Sequence, residues 1–121
     1  MDLDNFKNIN DKYGHSRGDD VLREVAKISL ACIRKTDRFT RYGGEEFGII
    51  LENANQKEAF GVAEKIRGSI SKYGESMKNN ITVSLGISQC KSDDTTATLI
   101  ERADKAMYIS KADGKNRCTL L

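Results

Sequence analysis

The sequence predicts an α+β domain in which an antiparallel or mixed sheet is covered by helices, and three observations lead there. Residues Ile81 to Ser88 alternate apolar and polar side chains without a break, the period of a strand. Two segments, around residues 21–33 and 59–70, place apolar residues three and four apart, the period of a helix. Two short β-favourable runs flank a Gly-Gly pair, the pattern of a hairpin.

From Gly18 onward, Val21, Leu22, Val25, Ile28, Cys32 and Ile33 form the apolar stripe of a first helix that ends near Arg34. The runs Phe39 to Arg41 and Phe47 to Leu51 enclose Tyr42-Gly43-Gly44-Glu45, whose glycines are expected to supply the positive φ angles of a tight turn. Glu45 and Glu46 then sit at or just after that turn. Ala59, Ala63, Ile66 and Ile70 carry a second helix, closed by Asn79-Asn80. In the strand, Ile81, Val83, Leu85 and Ile87 alternate with Thr82, Ser84, Gly86 and Ser88, which predicts one buried face. Asp94-Thr95-Thr96 can cap a third helix carrying Leu99, Ile100, Ala103, Ala106 and Met107, Gly114 stops it, and a last strand follows over Arg117 to Leu121. Asp2-Leu3-Asp4 reads as the exit of a strand whose body would precede Met1. The expectation is therefore a first central strand that is largely missing, its gap filled by another copy of the chain or by a rearranged sheet.

The 121 residues suffice for one domain and not for two. With 38% hydrophobic and 31% charged residues the chain can build a core. Lys and Arg number 20 against 18 for Asp and Glu, and this net +2 carries no polybasic excess of the kind that drives nucleic-acid or membrane-surface binding. The longest apolar runs are four or five residues, where a membrane span needs about 20. Asp2 stands where a signal peptide would begin a basic segment, so a soluble cytoplasmic protein is expected. Cys32, Cys90 and Cys118 form no CxxC pair and read as reduced thiols, with neither a disulfide framework nor a zinc site.

Asp2, Asp4 and Asp11 fail as a calcium loop, because Phe6 and Lys7 stand where an oxygen ligand and a glycine are needed and Tyr13 closes it. Gly114-Lys115 lacks the remainder of a phosphate-binding Walker loop. A strand end and a neighbouring hairpin tip can, however, bring Asp2-Leu3-Asp4 and Glu45-Glu46 to one point. Hard oxygen donors of that kind suit Mg²⁺ or Mn²⁺. Either acidic pair alone reads as a solvated turn.

The segments Asp2-Leu3-Asp4-Asn5-Phe6-Lys7-Asn8-Ile9-Asn10-Asp11, Tyr13-Gly14-His15, Gly18-Asp19 and Arg41-Tyr42-Gly43-Gly44-Glu45-Glu46-Phe47 occur in that order. Ser84-Leu85-Gly86-Ile87, Ala103-Asp104, Tyr108 and Lys111-Ala112-Asp113-Gly114-Lys115-Asn116 follow. Together they resemble the diguanylate cyclase family, the GGDEF domain, in its GGEEF form, over essentially the whole chain. The resemblance implies a sheet like that of nucleotidyl cyclases and polymerase palms, of ferredoxin-like type. It implies condensation of two GTP into cyclic di-GMP with loss of pyrophosphate.

On the same resemblance, Asp2, the carbonyl of Leu3 and Glu45 are expected to hold the metal, with Asp4 and Glu46 close by, and Glu45 to serve as general base. Lys7 is expected to reach the phosphates, although composition alone makes it an exposed helix lysine. Asn10, His15 and Asp19 match positions around guanine, and Asn10 and Asp19 read equally as helix caps. Lys111 and Lys115 match two phosphate-holding cations, the second being commonly Arg in the family, so that here a bidentate fork is absent. Arg34 and Asp37 form an RxxD pattern like the family's product-inhibition site, and Arg34 reads otherwise as a helix terminator. The expected partners are GTP, cyclic di-GMP, a second copy for catalysis and an upstream sensor domain, with neither nucleic acid nor membrane. A GTP or cyclic di-GMP binding module without turnover, or a dimerising output module, is the rival reading.

Overall fold

The computed structural model describes residues 1–121 as β1 (Asp2–Leu3), α1 (Phe6–Tyr13), α2 (His15–Cys32), β2 (Arg38–Arg41), β3 (Phe47–Ile50), α3 (Gln56–Ser76), β4 (Val83–Ile87), α4 (Thr96–Ala112) and β5 (Cys118–Leu120). The mixed sheet foreseen from the element order is present. Strand β4 runs antiparallel to β1, with Asp2 opposite Ser84 and Leu3 opposite Val83, and parallel to β5, with Leu85, Gly86 and Ile87 opposite Cys118, Thr119 and Leu120. A parallel pair needs a crossover, and α4 supplies it. Strands β2 and β3 form the antiparallel hairpin, and its tip joins β1 through a bridge between Asp2 and Glu46. Two backbone bonds secure the junction, Leu3 N–H to Glu45 O at 3.2 Å and Phe47 N–H to Met1 O at 2.8 Å. Short as β1 is, both of its sides are paired.

Odd-numbered side chains of β4 enter the main core. Val83 and Leu85 join Ile66 and Ile70 of α3, Val21 and Val25 of α2, and Leu3 of β1. Even-numbered positions face α4, and there a side chain on Gly86 would meet the backbone of Ala103 and Met107. Thr82 and Ser84 are buried along with their apolar neighbours, Ser84 completely. The expectation of one buried face is thus corrected: helices cover both, and the polar face holds buried hydroxyls because a buried acid lies against them.

Three further differences have physical reasons. Helix α1 escapes the sequence because it is eight residues long, buries only Phe6 and Ile9, and opens on Asn5 in the left-handed region (φ 55°) with no side-chain cap. Helix α2 starts at His15, three residues before the apolar stripe, directly after Gly14 at φ 86°. The hairpin glycines do not adopt positive φ, which is confined to Gly14 and Gly114 among the glycines. At Gly43 a Cβ would stand 3.2 Å from the Glu46 carboxylate, a tight contact that the side chain can relieve by a small shift. The cap foreseen for the last helix is present, Thr95 accepting from Thr98 N–H and Thr98 answering in a capping box. No helix is long and apolar enough to cross a membrane.

Candidate functional site

Alternation along β1 decides what the site contains. Leu3 points into the α2–α3 core, so Asp2 and Asp4 fall on the α4 side. Asp4 is fully buried and fully bonded. Its Oδ1 accepts from Ser84 Oγ at 2.7 Å and faces the Lys111 ammonium at 3.0 Å, while its Oδ2 accepts from Thr82 Oγ1 at 2.8 Å and Asn116 N–H at 3.0 Å. Burial pushes this carboxyl up, and the four donors together outweigh burial and hold it below its ordinary value. We expect Asp4→Asn, which keeps the shape but turns N–H groups toward donors, to cost about 2 kcal/mol in urea unfolding. A loss below about 0.5 kcal/mol would deny Asp4 this tie.

Lys111, in the last turn of α4, donates from Nζ to the Asp2 carboxylate and, at 3.0 Å, to the carbonyl of Leu3. Burial would lower its ammonium, and the bonds to Asp2 and Asp4 more than reverse that. The sequence expectation set Lys111 among phosphate ligands; here it is seated on the oxygens expected to hold metal. Lys115 at φ 64° donates to Asn5 Oδ1 at 2.6 Å, beside the start of α1.

Glu45 and Glu46 arrive at β1 on the hairpin tip, as the bridge to Asp2 requires. The turn closes by Tyr42 N–H and Gly43 N–H donating to Glu46 O at 2.8 and 3.3 Å. Arg41 clamps it from outside, its Nε donating to Gly43 O at 3.2 Å and Nη2 to Gly44 O at 2.6 Å. The sequence reading gave Arg41 no role, although it opens the Arg-Tyr-Gly-Gly-Glu-Glu run. Partial burial raises the Glu45 carboxyl, and the Asp2 charge raises it further. Asp2, Leu3 O and Glu45 therefore lie together, and the first two already converge on one cation. Three or more carboxylates, cysteines or histidines do not gather around a single point, so a divalent ion would depend on the Leu3 carbonyl as one of its hard ligands.

Asn10 and Asp19 cap neither helix, because Asn5 and Gly14 occupy the N-cap positions. Asn10 Oδ1 is buried without a hydrogen-bond partner, and a Cβ on Gly18 would stand 1.9 Å from it, so Gly18 makes the space in which that amide lies. His15 and Asp19 are exposed one turn apart on α2, and Lys7 is exposed one turn before Asn10 on α1.

Arg34 and Asp37 stand apart from these groups. They lie at the base of the β2–β3 hairpin, where Arg38 pairs with Ile50, and the glycine turn is at its tip. Four strand residues separate them, roughly 13 Å. Arg34 grips Asp37 through Nε and Nη2 at 3.1 and 2.9 Å and donates to Glu52 O at 2.6 Å. That grip draws the Asp37 carboxyl from 3.8 down to about 2. Its stabilisation is complete above the unfolded value and is lost as pH falls through the folded one.

Residues 1–117 match the family described as diguanylate cyclase, GGDEF domain. Diguanylate cyclase A of Treponema denticola is 48% identical over 99% of this chain and 33% of its own length. The active GGEEF domain of a diguanylate cyclase from Vibrio cholerae superposes with a TM-score of 0.91 at 39% identity, covering 98% of this chain and 78% of that one. The GGDEF domain of DgcB from Caulobacter crescentus, in complex with c-di-GMP, gives 0.91 at 36% identity over 98% and 73%. The chain spans about a third of the length of the curated relatives it matches.

Proposed function

Since the chain belongs to the diguanylate cyclase GGDEF family, we propose that residues 1–121 form one catalytic domain, two copies of which join two GTP into cyclic di-GMP. The observation that carries this reading is the junction of β1 with the hairpin tip, where Asp2, Leu3 O and Glu45 lie together beside Lys111. Each 3′-hydroxyl attacks the α-phosphorus of the partner GTP. The new bond is O3′–P, the bond broken is that from the α-phosphorus to the bridging oxygen, and pyrophosphate leaves; two such events close the ring.

Glu45 receives the hydroxyl proton, a task for which a carboxyl raised above its ordinary value is better suited. The family uses divalent metal ions, and Asp2, Leu3 O and Glu45 would hold Mg²⁺ or Mn²⁺ here, with Asp4 and Glu46 as neighbours; such an ion would offset charge on the phosphates. Lys7, Lys111 and Lys115 neutralise the remainder of the triphosphate. Asn10 and Asp19, with His15 beside them, read the guanine edge, and the unpartnered oxygen of Asn10 supports this because a buried acceptor gains most from an arriving donor. One domain presents one GTP, so two domains must meet face to face. GTP supply places the reaction in the cytoplasm.

Incubation with GTP and Mg²⁺, followed by chromatography, tests the reading. Cyclic di-GMP and pyrophosphate are the expected products, and GTP bound but unconverted would make the domain a binding module.

Product inhibition at Arg34 and Asp37 completes the proposal. Arg34 already holds a carboxylate and a carbonyl in the planar arrangement that suits phosphate or a guanine edge. By calorimetry, Arg34→Ala is expected to weaken cyclic di-GMP binding about tenfold or more with GTP affinity unchanged. A parent domain that ignores cyclic di-GMP would return Arg34 to a purely structural role.

A further inference from the structure

Asp2 is a buried carboxylate whose only hydrogen-bond partner is the ammonium of Lys111. A buried charge needs a partner, so Lys111 can leave Asp2 only if another cation takes its place. Asp4 is differently situated. It keeps Thr82, Ser84 and Asn116 when Lys111 departs. Leu3 contributes its carbonyl to the same ammonium at 3.0 Å. Asp2 and the Leu3 carbonyl are also two of the three groups read above as metal holders, and a divalent ion on those oxygens would stand beside the ammonium with strong repulsion.

We propose that Lys111 is a resident cation that keeps the metal site closed until nucleotide arrives: the divalent ion and the ammonium exchange places on Asp2 and Leu3 O. The inference rests on the metal-holding reading of Asp2, Leu3 and Glu45 and adds a consequence to it. Lys111 ends a flexible four-carbon stem at the last turn of α4. Released from Asp2, it needs an anion, and the triphosphate that accompanies the metal supplies one. The two ligands are thereby coupled. Metal binding frees the lysine for the phosphates, phosphates hold the lysine away from the metal ligands, and linkage makes the effect reciprocal. A domain without nucleotide then retains little metal, and its carboxylates stay neutralised in the meantime.

Mn²⁺ alone, titrated into the nucleotide-free protein by calorimetry and by the paramagnetic signal of the free ion, is the direct probe. Lys111→Met is expected to tighten Mn²⁺ binding about tenfold or more, while Lys72→Met, which removes an equal charge from an exposed position on α3, changes it less than about threefold. In chelator, Lys111→Met should melt below the parent, and Mn²⁺ should restore its midpoint. Lys111→Gln, which keeps a donor but no charge, should tighten Mn²⁺ in the same way and covers the case in which the methionine variant does not fold. Equal Mn²⁺ affinity in parent and both Lys111 variants overturns the exchange and leaves the metal site standing. No Mn²⁺ binding to any of them, with or without GTP, overturns the metal site and the exchange together.

Discussion

Glu45→Gln should abolish synthesis of cyclic di-GMP, lowering the rate by roughly a thousandfold or more, with GTP binding reduced by less than about tenfold. The size follows from two losses at one atom group, since the amide neither accepts the hydroxyl proton nor contributes a charged metal ligand. The fold gives no reason for damage. Glu45 serves the sheet through its backbone, whose carbonyl accepts from Leu3 N–H, and the substitution preserves that bond. Its carboxylate is destabilised by burial and by Asp2, so the variant should melt at or slightly above the parent temperature. Initial rates read by product chromatography, with the melt beside them, decide the matter. Turnover near that of the parent would remove Glu45 from the chemistry.

Gly86→Ala carries the largest expected structural effect. A Cβ at this position would stand 2.0 Å from Ala103 O and 2.3 Å from Met107 N, which are backbone atoms of a helix and cannot swing aside. Helix α4 would have to lift off β4. We expect a loss of about 3 kcal/mol or more, a fall in melting temperature on the order of 10 °C. Gly61→Ala in α3, where no atom lies within 4 Å of the added carbon, is the control and should stabilise by up to about 1 kcal/mol. A change within about 1 kcal/mol for Gly86→Ala would mean that α4 is not seated as closely as described.

Local features of the fold were legible in the sequence, and contacts made across long separations were not. The alternation of Ile81 to Ser88, the Thr95 cap and the hairpin around Gly43-Gly44 each depend on neighbours a few residues away, and each was found. The second buried face of β4 depends on Asp4 meeting Thr82 and Ser84 across 78 and 80 residues, for which no local pattern exists. Helix α1 was missed because a short polar helix without a cap looks like a loop until Phe6 and Ile9 have a core to enter. At the site, strand and hairpin geometry permits the approach of Asp2 to the glutamate pair, and the family resemblance selects it over two solvated turns. The seat of Lys111 was not legible, because the lysine reaches Asp2 across 109 residues, a separation that no local pattern bridges.

The bond from Asn116 N–H to Asp4 spans 112 residues, and its consequence concerns synthesis of the chain. During translation the Asp2-Leu3-Asp4 segment emerges before either helix that covers it, and the residues that neutralise and seat it, Lys111 and Asn116, emerge 109 and 112 residues after their partners. Until then Asp4 is an acid with no ammonium and no amide to meet it, and β4 lacks its parallel neighbour. A chain released after residue 46 and before residue 111 therefore carries both acidic motifs in sequence but lacks the ammonium and the amide that seat Asp2 and Asp4. The seating of the acidic segment is thus tied by topology to residues made long after it, without a separate proofreading device.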